Sequence, residues 1–206
     1  MSDAPLIHVV DDDESLRTSL LRLLGAAGFE ARGYGSTGDF LLQPPPDRPG
    51  CVLLDLRLPG PSGLELQEAL ARQGVALPVI FLTGHGSVAS SVRAMQAGAV
   101  DFLTKPVNRD TLFDAIRRAL ERNARDRGRR EEADQLRARF ASLTPREREV
   151  VDSVARGKLN KQIAHELGIA ERTVKLHRAS AMAKLAVNSS AELGRLVERL
   201  RTLTAE

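Results

Sequence analysis

Three acidic positions, a hydroxyl and a lysine carry the types and spacing that phosphoryl chemistry needs. Asp11 and Asp12 open the acids of VVDDDE, straight after an apolar stretch. Asp55 ends CVLLD, Thr83 ends PVIFLT, and Lys105–Pro106 follow AVDFLT. Carboxylates brought together repel one another unless a cation sits among them. Mg²⁺ suits such a set, because it prefers hard oxygen ligands and few protein carboxylates. A carboxylate is also a nucleophile. With a metal and Lys105 to neutralise the equatorial oxygens, Asp55 is placed to take a phosphoryl group by in-line transfer. Register favours Asp11 and Asp12 as the metal-facing pair, with Asp13 and Glu14 at the start of the first helix, where negative charge is favourable. A one-residue slip would select Asp12 and Asp13 instead, so Asp12 is common to both readings.

The elements that must hold these residues follow from periodicity. Leu6–Val10, EARGY, CVLLD, PVIFLT and AVDFLT read as five short strands. Each is followed by a helical stretch: SLRTSLLRLLGAAG, a brief helix around Asp39 to Leu42, LELQEALARQ, VASSVRAMQAG and TLFDAIRRAL. QPPPDRPG interrupts with prolines and a glycine that suit neither helix nor strand. The strands read as apolar through their length rather than alternating, which predicts a parallel sheet covered on both faces, an α/β domain. In such a sheet polar chemistry collects beyond the carboxyl ends of the strands, where the five positions fall.

Residues 6–122 resemble the receiver domain of two-component response regulators, through VVDDDE, LLDLRLPGPSG, FLTGHGS and AVDFLTKP. The resemblance implies a (βα)5 fold and Asp55 as the phosphorylated aspartate. It implies Mg²⁺ held by Asp12, Asp55 and the backbone carbonyl of Arg57, with Asp11 acting through water. Thr83 would hydrogen-bond one phosphoryl oxygen, Lys105 would pair with another, and Pro106 matches the family's cis-proline. Phe102 matches an aromatic switch position coupled to Thr83, while a plain core phenylalanine is the alternative. Arg57 and His85 occupy positions that tune dephosphorylation. The implied donor is the phosphohistidine of a sensor histidine kinase, so the domain does chemistry on itself and turns over no metabolite.

The chain's 206 residues are 42% hydrophobic and 28% charged, an ordinary globular composition. The charge is divided unevenly: residues 1–120 hold 11 Lys/Arg against 14 Asp/Glu, and residues 121–206 hold 19 against 13. A basic second part suggests a polyanionic partner. No run of apolar residues is long enough to span a membrane, the start lacks a secretory pattern, and Cys51 has no partner for an internal disulfide. A cytoplasmic protein is expected.

Three parts are expected along the chain: a domain at residues 1–122, a charged and helical linker at 123–140 exposed to solvent, and an all-α domain at 141–206. In the last, Thr144 is an N-cap, Pro145 the first helical residue and Glu147 the capping-box glutamate, with Gly157 as the stop. KLNKQIAHELG and IAERTVKLHRASAMAKL, joined by a tight GIA turn, read as a helix-turn-helix, and SSAELGRLVERLRTL as a fourth helix. Ile163, Leu167, Val174 and Leu185 would form the core, with Met182 packing on it. In such a unit the second helix enters the major groove. Arg172, Thr173, Lys175, His177 and Arg178 are its candidate contacts, either arginine reading guanine or holding a phosphate. Lys158, Asn160 and Lys161 suit phosphates.

This half resembles the LuxR-type helix-turn-helix of the FixJ/NarL group of response regulators, over LTPREREVVDSVARGKLNKQIAHELGIAERTVKLHRASAMAKL, with GHGS and LRLPGPSG favouring the FixJ branch. Ser180 departs from a frequent asparagine. The resemblance implies a phosphorylation-controlled transcriptional regulator that binds duplex DNA. It implies homodimerisation through a face bearing Val88, Val92, Gln96 and Asp101, and a second dimer contact on DNA around Leu193, Leu196 and Leu200. An alternative from another class is a protein-interaction or phosphate-relay module whose second half binds protein. Salt-dependent DNA binding separates the two.

Overall fold

In a computed structural model, residues 4–43, 45–84 and 88–205 are described, and the chain forms two compact units, residues 1–127 and 128–206. The first unit alternates strands and helices: β1 (Leu6–Val10), α1 (Glu14–Ala26), β2 (Glu30–Tyr34), α2 (Thr37–Leu41), β3 (Gly50–Asp55), α3 (Gly63–Arg72), β4 (Val79–Thr83), α4 (Val88–Gln96), β5 (Asp101–Thr104) and α5 (Arg109–Ala141). The second unit adds α6 (Pro145–Ala155), α7 (Asn160–Leu167), α8 (Glu171–Leu185) and α9 (Ser190–Ala205).

The strands make one parallel sheet in the order β2-β1-β3-β4-β5. β1, β3 and β4 are buried at every position between two layers of helices, as their mostly apolar runs require, with His8 buried in β1. One face packs Leu20 and Leu24 of α1 and Leu112 and Ile116 of α5 on Ile7, Leu53 and Ile80. The other packs Leu66 and Leu70 of α3 on Val52, Leu54 and Phe81. Edge strands β2 and β5 are partly exposed. The brief second helix begins at Thr37, two residues before the sequence pattern suggests, because Ser36 Oγ accepts from the Asp39 N–H and caps it.

α5 is one helix of 33 residues, and its apolar positions are sparse. Even so, residues 123–140 are not simply a solvated linker. Ala133 and Leu136 are each only 6% exposed, and with Phe140 they recur on one helical face. That face lies toward α9, where Arg199 donates to Glu132 at 2.7 Å and Arg137 donates to the Leu203 carbonyl at 3.2 Å. A few apolar residues at the right spacing are enough to pack a mostly charged helix.

The second unit's core gathers Val150, Val151 and Val154 of α6, Ile163 of α7, Val174, Ala181 and Leu185 of α8, and Leu193 and Val197 of α9. Leu167 and Met182 are half-buried against it. Gly168, at φ +65°, makes the left-handed turn between α7 and α8. Leu193 is fully buried inside its own unit, so that leucine itself is not available to a second copy, while Leu196 and Leu200 are half-buried.

Candidate functional site: a carboxylate–lysine cluster and a basic helix-turn-helix

Parallel register places the first site. Val10 pairs with Leu54, so the next residues, Asp11 and Asp55, stand side by side at the strand ends. Asp55 is the last residue of β3 and pairs with Leu82. Thr83 pairs with Thr104, and the Lys105 N–H donates to the Thr83 carbonyl at 2.8 Å, which carries Lys105 to the same edge. The Lys105–Pro106 peptide is cis.

At that edge Lys105 Nζ lies 2.7 Å from Asp11 Oδ2 and 2.7 Å from Asp55 Oδ2. Asp11 and Asp55 are buried and Asp12 is exposed; Asp11, Asp12 and Asp55 each offer an oxygen within 4.8 Å of the others. Burial raises the Asp11 pKa and outweighs the hydrogen bond and charge of Lys105. Burial alone would lower the Lys105 pKa, but its hydrogen bonds to Asp11 and Asp55 raise it above the ordinary lysine value. Among the described residues the pocket is therefore a negative seat with Lys105 fixed in it, and its oxygen-only ligands fit Mg²⁺. The Arg57 N–H donates to Asp55 Oδ1 at 3.2 Å and the Asp13 N–H to Asp11 Oδ1 at 3.1 Å, which orients both carboxylates.

Asp13 itself caps α1: its Oδ1 accepts from the Leu16 N–H at 3.0 Å. Asp13 is thus spent on the helix start, while Asp11 faces Lys105. Arg17, which the sequence does not single out, donates to the Asp11 carbonyl at 2.6 Å from one turn into α1. Gly63 closes the back of the site. A Cβ there would lie 2.3 Å from the Asp55 carbonyl oxygen and 3.0 Å from Phe81 Cε1, so only glycine lets α3 start against the end of β3.

Thr83 is buried at the edge. Phe102 is half-buried, its ring 6.0 Å from that of Phe81. His85 and Gly86 of the GHGS loop lie outside the described residues. On α4, Val88 is 82% exposed, and Val92 and Met95 are each 47% exposed. Gln96 is exposed beside them, and Asp101 pairs with Arg118 of α5. Met95 lies on the same helical face, a position that the sequence pattern does not single out.

In the second unit the capping box is present, and it does more than cap. The Thr144 N–H donates to Glu147 Oε2 at 2.8 Å, and the Glu147 N–H to Thr144 Oγ1 at 3.2 Å. Buried Glu147 also accepts from Lys184 Nζ at 2.7 Å and from Ser180 Oγ at 2.6 Å. Lys184 first, then Ser180 and the Thr144 backbone, hold its carboxyl at about 2. Ser180, the departure from the familiar pattern, thus joins α8 to the start of α6.

The basic residues of the helix-turn-helix are placed unequally. Lys161, Arg172 and Lys175 are exposed, and Lys175 lies 3.6 Å from Glu171. Lys158 is held by Glu166 at 2.6 Å. Thr173 and His177 are half-buried. Arg178 donates to Asn160 Oδ1 at 2.9 Å and to Ser190 Oγ. Two apolar residues beside them, Leu159 and Leu176, are 70% and 69% exposed.

Comparisons with known proteins agree with this geometry. Residues 7–117 match the response regulator receiver domain, and residues 141–197 match bacterial regulatory proteins of the luxR family. Nodulation protein W of Bradyrhizobium diazoefficiens is 44% identical over 199 residues, 97% of this chain and 88% of that protein. Transcriptional regulatory protein FixJ of Rhizobium meliloti is 41% identical over 190 residues, 92% and 93% of the two chains. Among solved structures, response regulator StyR is 49% identical with a TM-score of 0.85, covering 95% of this chain and 99% of that one. Full-length FixJ from B. japonicum is 40% identical with a TM-score of 0.58, covering 96% and 97%. A parallel sheet with an acidic edge, joined to a capped helix-turn-helix, places this chain in the family of two-component response regulators with a LuxR-type DNA-binding domain, most like its FixJ branch.

Proposed function

We propose that this regulator accepts a phosphoryl group on Asp55 from a sensor histidine kinase, and that the change drives dimerisation and binding to duplex DNA. The observation that carries the reading is the Lys105 ammonium shared between Asp11 and Asp55. Mg²⁺ would be held by Asp12, Asp55 and the Arg57 carbonyl, with Asp11 through water, and would neutralise charge on the transferred group. An Asp55 oxygen forms the O–P bond as the donor's P–N bond breaks, and the leaving imidazole nitrogen takes a proton from solvent. Lys105 then exchanges an aspartate oxygen for a phosphoryl oxygen. Thr83 donates its hydroxyl to another, and Phe102 follows the threonine inward.

The exposed valines of α4 suit burial against a second copy, on a face with Gln96 and Asp101. Dimerisation brings two helix-turn-helix units to one two-fold site and adds avidity. Arg172, Thr173, Lys175 and His177 face the groove from α8, and Lys158 and Lys161 face phosphates from the start of α7. Lys158 exchanges Glu166 for phosphate on binding.

Incubation of the full chain with acetyl phosphate and Mg²⁺ tests the reading. A single hydroxylamine-labile phosphoryl group, a doubled mass in light scattering and tighter, salt-sensitive binding to selected duplexes are expected. Asp55→Asn should lose all three responses. An Asp55→Asn chain that still dimerises in response to the donor would overturn the mechanism. Binding to duplex DNA with no salt dependence would favour a protein-binding role for the second unit.

A further inference from the structure

Arg178 has the type and position of a DNA-reading residue, yet its guanidinium is already engaged inside the unit. One nitrogen donates to Asn160 Oδ1 at 2.9 Å and the other to Ser190 Oγ. Asn160 is the first residue of α7 and Ser190 the first of α9, while Arg178 lies in the middle of α8. One side chain therefore ties three helices together. Arginine is suited to this, because its planar fork presents several donors in fixed directions. A lysine would keep the charge without the fork.

The tie lies between the two groups of proposed DNA contacts. Lys175 precedes Arg178 by three residues on α8, which puts the two on one face. Asn160 stands between Lys158 and Lys161 at the start of α7. Both Arg178 and Asn160 are half-buried. Arg178 gives one N–H from each terminal nitrogen to these partners, which fixes the plane of its fork between the three helices. Asn160 accepts from Arg178 through Oδ1, so this bond fixes the plane of its amide against α8.

We infer that Arg178 and Asn160 are positioning residues: together they fix α8 against the starts of α7 and α9, and neither contacts DNA. This rests on the DNA-binding reading of the second unit and deepens it, by separating residues that touch DNA from those that hold the touching helix in place.

The test uses the full chain and the duplex that it selects, with affinity measured across a salt series. The wild type must first lose affinity steeply with salt; failure at that stage would sink the DNA-binding reading, independently of how the variants behave. Arg178→Ala, which removes both bonds, is expected to lower affinity about tenfold, Asn160→Ala, which leaves the bond to Ser190, by less, and the double variant no further than Arg178→Ala. The salt slope and the selected sequence should stay those of the wild type. Arg178→Lys should behave like Arg178→Ala. Should Arg178→Ala fail to fold by circular dichroism, Asn160→Ala and Arg178→Lys carry the same comparison.

A slope reduced by about one would make Arg178 a phosphate contact and overturn the inference. So would relaxed selection at one base pair, rescue by lysine, or additive single effects. A loss of affinity fully accounted for by the unfolded fraction, from melting curves of the same variants, would also overturn it.

Discussion

Lys105 Nζ stands 2.7 Å from Asp55 Oδ2, in a pocket where Asp11 is buried within the same reach. The lysine is thus the resident counter-charge of the acidic edge. Removing it leaves two carboxylates to repel each other away from water. Lys105→Met is expected to destabilise the first unit by ~2 kcal/mol without divalent ions, a value discounted for the lysine's partial exposure. Millimolar Mg²⁺ should restore part of that loss. Urea unfolding with and without Mg²⁺ checks this, and equal midpoints for variant and wild type would refute it.

Gly63 gives a second test of how the site is held. Gly63→Ala places a methyl 2.3 Å from the Asp55 carbonyl, so the start of α3 or the end of β3 must move. A cost of ~2 kcal/mol is expected from overpacking, together with slower phosphorylation by acetyl phosphate. Normal stability with normal phosphorylation would show that the strand end tolerates the shift.

Glu147 makes the second unit sensitive to acid. Its carboxyl is held at about 2 by Lys184, Ser180 and the Thr144 backbone, below the ordinary 4.5. A depressed carboxylate contributes stability above its unfolded pKa and loses it as pH falls toward the folded one. Unfolding of the wild-type unit should therefore become easier between about pH 4.5 and 2. Glu147→Gln should be less stable at neutral pH and flatter across that window. A variant with the wild-type acid profile would place the sensitivity elsewhere.

Leu159 occupies the N-cap of α7 with no side-chain acceptor, and it is 70% exposed. Its own N–H already donates to Gln162 Oε1 at 2.8 Å, so half of a capping box is in place. Leu159→Ser supplies the missing hydroxyl. A gain of about 1 kcal/mol in the second unit is expected from thermal melts.

Leu176 is exposed on α8 beside Lys175, where an apolar side chain has no internal partner to gain. On DNA it is suited to a thymine methyl. Replacing thymine by uracil, one position at a time in a selected duplex, should weaken wild-type binding about fourfold at one position per half-site. Leu176→Ala should erase that difference; a variant that still distinguishes the two bases would assign the methyl contact to another residue.

The sequence by itself determined the sheet, because mostly apolar central strands between short helices have one economical arrangement, parallel and covered on both faces. The same pattern put Asp11, Asp12, Asp55, Thr83 and Lys105 at strand ends, and the capping box at Thr144 and Glu147 was readable from local spacing. It left open which group faces which. Strand register and the α1 cap together decided that Asp13 holds a helix while Asp11 turns to Lys105. Only packing showed that Ala133 and Leu136 share a buried face in a charged helix, or that Leu193 is spent in its own core. Arg178, Asn160 and Ser190 lie in three different helices, so no local periodicity could join them. Side-chain partners across elements depend on three-dimensional approach, and for a long, flexible arginine the choice between solvent, DNA and a neighbouring helix is made only by the tertiary structure.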